Sequence, residues 1–110
     1  MPNKLTIEQL KALCTDENII ITQHSLNRAL QRSINYESIK AVIMNGDIIE
    51  DYPEDYPYPS CLILGLSDNN KELHVVAGIG EGKLWIITAY YPSLDKWEAD
   101  YRTRKGVEKQ

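Results

Sequence analysis

The apolar residues of this chain change their spacing once, between Gly46 and Asp47, and that change constrains the fold more than any other feature. Upstream they recur every three or four residues, the period of a helix; downstream they alternate, the period of a strand. Helices first and strands second is the order of an α+β domain.

Three helices are expected upstream. Thr6 followed by Gln9 is a capping box, and Leu5 with Leu10 stands at hydrophobic-staple spacing. These predict a helix over residues 7–14 that buries Ile7, Leu10, Leu13 and Cys14. Residues 19–21, all isoleucine, form a run too short to classify. Thr22 suits an N-cap. The helix after it, TQHSLNRALQR, places Leu26, Ala29 and Leu30 within one arc. Asn35 caps a third helix with Tyr36, Ile39, Val42 and Ile43 on one face, and Gly46 stands where a helix end favours positive φ.

Downstream, strands are expected at 47–51, 60–66, 72–79 and 84–91. The three prolines of YPEDYPYPS exclude a central strand there, and SDNNK and residues 80–82 read as turns. Pro92 ends the last strand; a short helix containing Trp97 should fold back, and the chain should fray from Tyr101. The expected architecture is one domain, residues 1–110, with N-terminal helices packed on a four-stranded antiparallel sheet.

A chain of 110 residues, 43% hydrophobic and 25% charged, can build a core without disulfides or metals. Its apolar runs are far below the roughly 20 residues that cross a bilayer. MPNKLTIEQL lacks an apolar signal core, so a cytoplasmic location is expected. Cys14 and Cys61 stand apart with no C-x-x-C, and the two histidines are not at ligand spacing. Two buried, reduced thiols, no metal and no cofactor are the expectation. The net charge of −4 argues against a tight nonspecific grip on nucleic acid. That charge is polarised: residues 47–55 carry five acids and no base, whereas the C-terminal piece sets Lys96, Arg102, Arg104, Lys105 and Lys109 against Glu98, Asp100 and Glu108.

The residues best suited to chemistry form an H-x3-R-x3-R pattern, His24, Arg28 and Arg32. Steps of four residues advance about 40°, so the three share one side of the second helix and climb about 12 Å along it. An imidazole near a helix N-terminus backed by two guanidiniums can cradle a phosphate. The same stripe is also what the solvated face of an amphipathic helix looks like. His74 lies on a strand between apolar neighbours, as a satisfied core histidine would. Simple alternation puts Thr88 and Tyr90 on the face of Leu84 and Ile86; both are good strand formers, and Tyr90 could also donate a proton. Tyr52, Tyr56 and Tyr58 make the proline-rich loop aromatic and acidic, suited to structure or to a partner.

The run ITQHSLNRALQRSINYESIKAVIMNGDIIEDYPEDYPYPSCLILG, with LHVV and IITAYYPSLDKWEADYRTR, resembles a widespread bacterial domain family of unknown function. Its members are similar to small toxins of the RelE and BrnT kind, and the resemblance runs from about residue 20 to 104. It implies a RelE-like fold, metal-independent RNA cleavage (on free or ribosome-bound RNA) and a cognate antitoxin, a small zinc-finger protein with C-x-x-C motifs. The matching positions are His24, Arg28 and Arg32 on the helix, His74 on a strand, and Thr88 and Tyr90 in I-T-x-Y. Toxins of that kind tend to be basic; this chain is acidic.

Metal-free RNA cleavage needs a base for the ribose 2′-OH, cations for the phosphorane and an acid for the leaving oxygen. The expected assignment is His24 as base or acid, Arg28 and Arg32 on phosphate, and Tyr90 as the opposite proton-transfer partner. His74 and Thr88 are assigned to substrate, with His74 as substitute for Tyr90. It requires the face bearing Tyr90 to open toward the second helix. The rival reading is a non-catalytic domain that binds a partner through its acidic Tyr/Pro loop or its basic tail.

Overall fold

A computed structural model describes residues 4–106. The order is α1 (Ile7–Ala12), β1 (Ile19–Ile21), α2 (Gln23–Gln31), α3 (Tyr36–Asn45), β2 (Asp47–Tyr52), β3 (Ser60–Leu66), β4 (Glu72–Gly80) and β5 (Lys83–Tyr90). The N-caps are those the sequence predicts. Thr6 and Gln9 exchange both bonds of a capping box, Thr22 accepts from the Ser25 N–H, and Asn35 accepts from the Ser38 N–H. Among the described residues no helix is long and apolar enough to cross a membrane.

The expected four-stranded antiparallel sheet is corrected by the structure. Five strands form a mixed sheet in the order β1-β5-β4-β3-β2, and strands outweigh helices. The three isoleucines are the additional strand: Ile19, Ile20 and Ile21 pair parallel with Leu84, Trp85 and Ile86. This pairing joins segments over sixty residues apart, so no local periodicity reports it. The N-terminal block is therefore not purely helical, and the RelE-like arrangement expected from the resemblance is not what forms.

The helices cover one face. Leu10, Ile34, Ile39, Val42 and Ile43 pack there against Cys61, Ile63, Leu73, Val75, Ala77, Leu84, Ile86 and Ala89. Strand β1 is too short to cover all of β5, whose carbonyls beyond Ile86 would otherwise lack partners. Helix α2 supplies them. Ser25 Oγ donates to the Ile87 carbonyl at 3.0 Å, and Arg32 Nη1 to the Ala89 carbonyl at 2.9 Å.

Gly46 departs from expectation in a different way. Its φ is −98°, ordinary extended backbone. A Cβ there would lie 2.5 Å from the carbonyl oxygens of Leu64 and Val42, so glycine lets the end of α3 close onto β3. Asn45 locks that approach through two bonds to the Leu66 backbone, at 2.8 and 2.9 Å.

Two β-bulges decide what stands on the opposite face. In β2 the register slips between Ile48 and Glu50, and in β5 the slip against β4 leaves Ile87 as the extra residue. Each bulge reverses the alternation beyond it. Asp47 and Glu50, three apart, consequently both lie on the face of Leu64 and Leu62. Thr88 and Tyr90 pair with Val76 and His74, on the face away from Leu84 and Ile86. Simple alternation placed Thr88 and Tyr90 with Leu84 and Ile86; the bulge overturns that.

That face is covered by the C-terminal segment. The expected helix at Trp97 is instead a turn closed by a bridge between Trp97 and Arg104, and the chain does not fray at Tyr101. Asp100 holds the turn, accepting the N–H groups of Arg102 and Thr103, which keep its carboxyl below the ordinary range. Arg102 reaches Asp47 at 3.0 Å and Arg104 reaches Glu50 at 2.8 Å, so two acids from the bulged edge strand tie this strap down.

Candidate functional site

Beneath the strap lies a buried histidine. His74 is fully enclosed, with the Trp97 ring edge-on at 4.6 Å and the Tyr90 ring at 5.3 Å. Its Nε2 is 2.8 Å from the carbonyl oxygen of Tyr101. A carbonyl can only accept, so Nε2 carries the ring proton and Nδ1 offers its lone pair. The Tyr90 hydroxyl stands 3.4 Å from Nδ1 and is its donor. Burial lowers the affinity of the ring for a second proton, against the Tyr101 bond and the Glu50 charge, which raise it. Burial raises Tyr90 above the usual phenol range. The pair therefore rests as neutral imidazole and neutral phenol.

Tyr90 forms one wall of a cavity of about 350 Å³, with Tyr91, Ser93, Lys96, Trp97 and Arg104. Arg104 stacks on Trp97 at 4.6 Å while its Nε and Nη2 grip the two Glu50 oxygens at 2.8 and 3.1 Å. Burial alone would raise the Glu50 carboxyl. The Arg104 fork and the Tyr52 hydroxyl, at 2.6 Å, outweigh it and hold Glu50 below its ordinary value. Tyr52 itself is pushed up to about 12 by burial and by the Glu50 carboxylate. The Lys96 ammonium is the second cation at the cavity.

The helix stripe does not join this group. His24 and Arg28 are exposed and their side chains make no hydrogen bond or ion pair among the described residues, while Arg32 is engaged with the sheet edge. Neither this cavity nor two larger ones on the molecule is lined by His24, Arg28 or Arg32. Tyr90 and His74 stand on the face away from the helices, so the shared hollow required by the four-residue assignment does not form. Thr88 follows Tyr90 onto the strap face but does not line the cavity.

Of the six site candidates, the structure joins His74 and Tyr90. The sequence reading missed Glu50, Lys96, Trp97 and Arg104 as site residues. The one signal for them was the cluster of C-terminal bases opposite an acid-rich stretch, which says that two segments attract but not where they meet. Among the described residues no three His, Cys, Asp or Glu side chains gather as a metal site would require.

A family model with the description Domain of unknown function (DUF4258) matches residues 21–91. That stretch contains His74 and Tyr90 and ends before Trp97 and Arg104. No curated protein and no solved structure matches the chain.

Proposed function

For a chain that belongs to the uncharacterised DUF4258 family, we propose RNA phosphodiester cleavage without a metal, in the cavity walled by Tyr90 rather than on the helix stripe. One observation carries this reading. A hydrogen-bond chain runs from the Tyr101 carbonyl through His74 to the Tyr90 hydroxyl, and Tyr90 lines one cavity together with Lys96 and Arg104. With phosphate between the two cations, the ribose 2′-OH attacks phosphorus. It gives its proton to the Tyr90 oxygen as Tyr90 passes its own to His74 Nδ1. The P–O5′ bond breaks, Lys96 protonates the departing oxygen, and a 2′,3′-cyclic phosphate remains. The Glu50 charge and the Tyr101 carbonyl favour the imidazolium formed in that step.

A toxin paired with an antitoxin, a small zinc-finger protein by the same resemblance, is the setting we propose for this activity. That setting rests on the likeness to RelE and BrnT toxins alone. The rival reading, a non-catalytic binding domain, is favoured by one feature: Arg104 already spends its fork on Glu50.

The test uses end-labelled single-stranded RNA in excess chelator, scored for cyclic-phosphate ends. Tyr90→Phe should lower cleavage by about 100-fold or more, the scale of acid–base catalysis. His24→Ala and Arg28→Ala should leave it unchanged. No cleavage by the unaltered protein, or loss in the helix variants with Tyr90→Phe active, overturns the reading.

A further inference from the structure

On the strap face, away from Tyr90, the proline-rich loop and β5 enclose a second hollow of about 500 Å³. Trp85 and Tyr58 make its aromatic wall, with ring centroids 5.5 Å apart and planes tilted by 35°. Both rings are pinned. The Trp85 indole N–H donates to the Gly80 carbonyl at 3.0 Å, and the Tyr58 hydroxyl to Glu81 at 2.8 Å. Tyr58 can lie this close because Gly80 has no side chain: a Cβ there would stand 2.2 Å from the ring. With their polar atoms engaged, what Trp85 and Tyr58 contribute to the lining is aromatic ring surface. Tyr56 adds a ring that is 94% exposed, and Ile87 an apolar edge that is 44% exposed.

The charge of this hollow has one sign. Asp55 lines it and no cation does; Glu54, beside it in the loop, is exposed. Ser60 Oγ donates to Asp55 Oδ2, which holds the carboxylate in place and leaves Oδ1 for a ligand. Aromatic faces are the negative side of the ring quadrupole, so rings and carboxylate attract the same kind of group. A phosphate backbone is repelled. A guanidinium satisfies both features, because it stacks on rings and forks to a carboxylate; a lysine ammonium cannot stack.

We propose that this hollow docks an arginine-bearing segment of a partner protein, the guanidinium lying on the Tyr58–Trp85 faces and paired with Asp55. The charge complementarity selects that occupant over a nucleic acid or a neutral peptide. The inference shares no residue with the cavity at Tyr90 and stands whether or not RNA is cleaved there.

Two-dimensional NMR of the full chain tests it, because the Trp85 and Trp97 indole N–H signals report separately and Trp85→Phe assigns them. The ligands are a short blocked peptide with two arginines, its counterpart with citrulline in their place, and a short oligouridine. The arginine peptide should shift the Trp85 signal saturably and leave Trp97 in place. Asp55→Asn should weaken it roughly tenfold, as loss of a charge-assisted bond does. Tyr56→Ala, at a side chain too exposed to matter for folding, should weaken it about threefold. Equal binding of the citrulline peptide, a Trp85 shift with oligouridine alone, unchanged affinity in Asp55→Asn, or no shift at millimolar arginine peptide each overturns the proposal.

Discussion

His74 Nε2 and the Tyr101 carbonyl oxygen, 27 residues apart in the chain, meet at 2.8 Å and fix which nitrogen of a fully buried imidazole carries the proton. The bond joins the middle of the sheet to the strap that covers it.

Acid should loosen this arrangement first at His74. Burial holds its folded pKa below the ordinary 6.5, so in a window just below 6.5 the unfolded chain binds more protons than the folded one. Stability then falls as the pH drops through that window. Glu50 acts lower down: its folded pKa is below the ordinary 4.5, so its contribution is full above 4.5 and lost as the pH falls through the folded value. Urea midpoints against pH should show both declines. His74→Gln should remove the upper decline and keep the lower one; a profile unchanged by that substitution contradicts the assignment.

Ser33 ends α2 in the left-handed region, at φ 62°. The Ile34 and Ser33 N–H groups bond the Ala29 and Leu30 carbonyls, the pattern that favours glycine at this position. Ser33→Gly relieves about 1–2 kcal/mol of backbone strain and costs some 0.4–1 kcal/mol in unfolded-state entropy. A net gain of about 0.5–1 kcal/mol, seen as a higher Tm, is expected.

Gly46→Ala should do the reverse. The new methyl would meet two backbone oxygens, which cannot rotate away as a side chain can. A loss of about 3 kcal/mol in urea unfolding is expected. A wild-type midpoint would show that α3 need not sit so close to β3.

Cys14 and Cys61 should resist iodoacetamide in the native protein and react after unfolding. Burial raises both thiols, Cys61 to about 12, and both are free. Fast native alkylation of either would contradict its placement.

On the proposed RNA-cleavage reading, Lys96→Ala should weaken RNA binding and make it less sensitive to salt, by about one unit in the log–log slope. An unchanged slope removes Lys96 from the phosphate site.

Much of the architecture was legible because its causes are local. Thr6, Thr22 and Asn35 carry their caps in their own side chains, and the core stripe of Ile39, Val42 and Ile43 follows from helix period alone. Strands β3 and β4 announce themselves by composition and by the turn between them. His74 was legible as a strand residue flanked by apolar ones, and Tyr90 as a residue of the last strand.

What failed to show has a common physical origin. A β-bulge depends on how two strands slide past each other, so the extra residues at Ile49 and Ile87 have no signature in their own sequence. Yet they decide that Glu50 and Tyr90 face the strap. The pairing of β1 with β5, and the closure of Arg104 onto Glu50, likewise follow from burial and charge summed over segments far apart. The amino-acid order determined by itself where helices start, where the period changes and which residues seek the interior, since those preferences act within a few residues. Which face Glu50 and Tyr90 occupy was decided by the tertiary structure alone, because a single slipped register reverses every side chain beyond it.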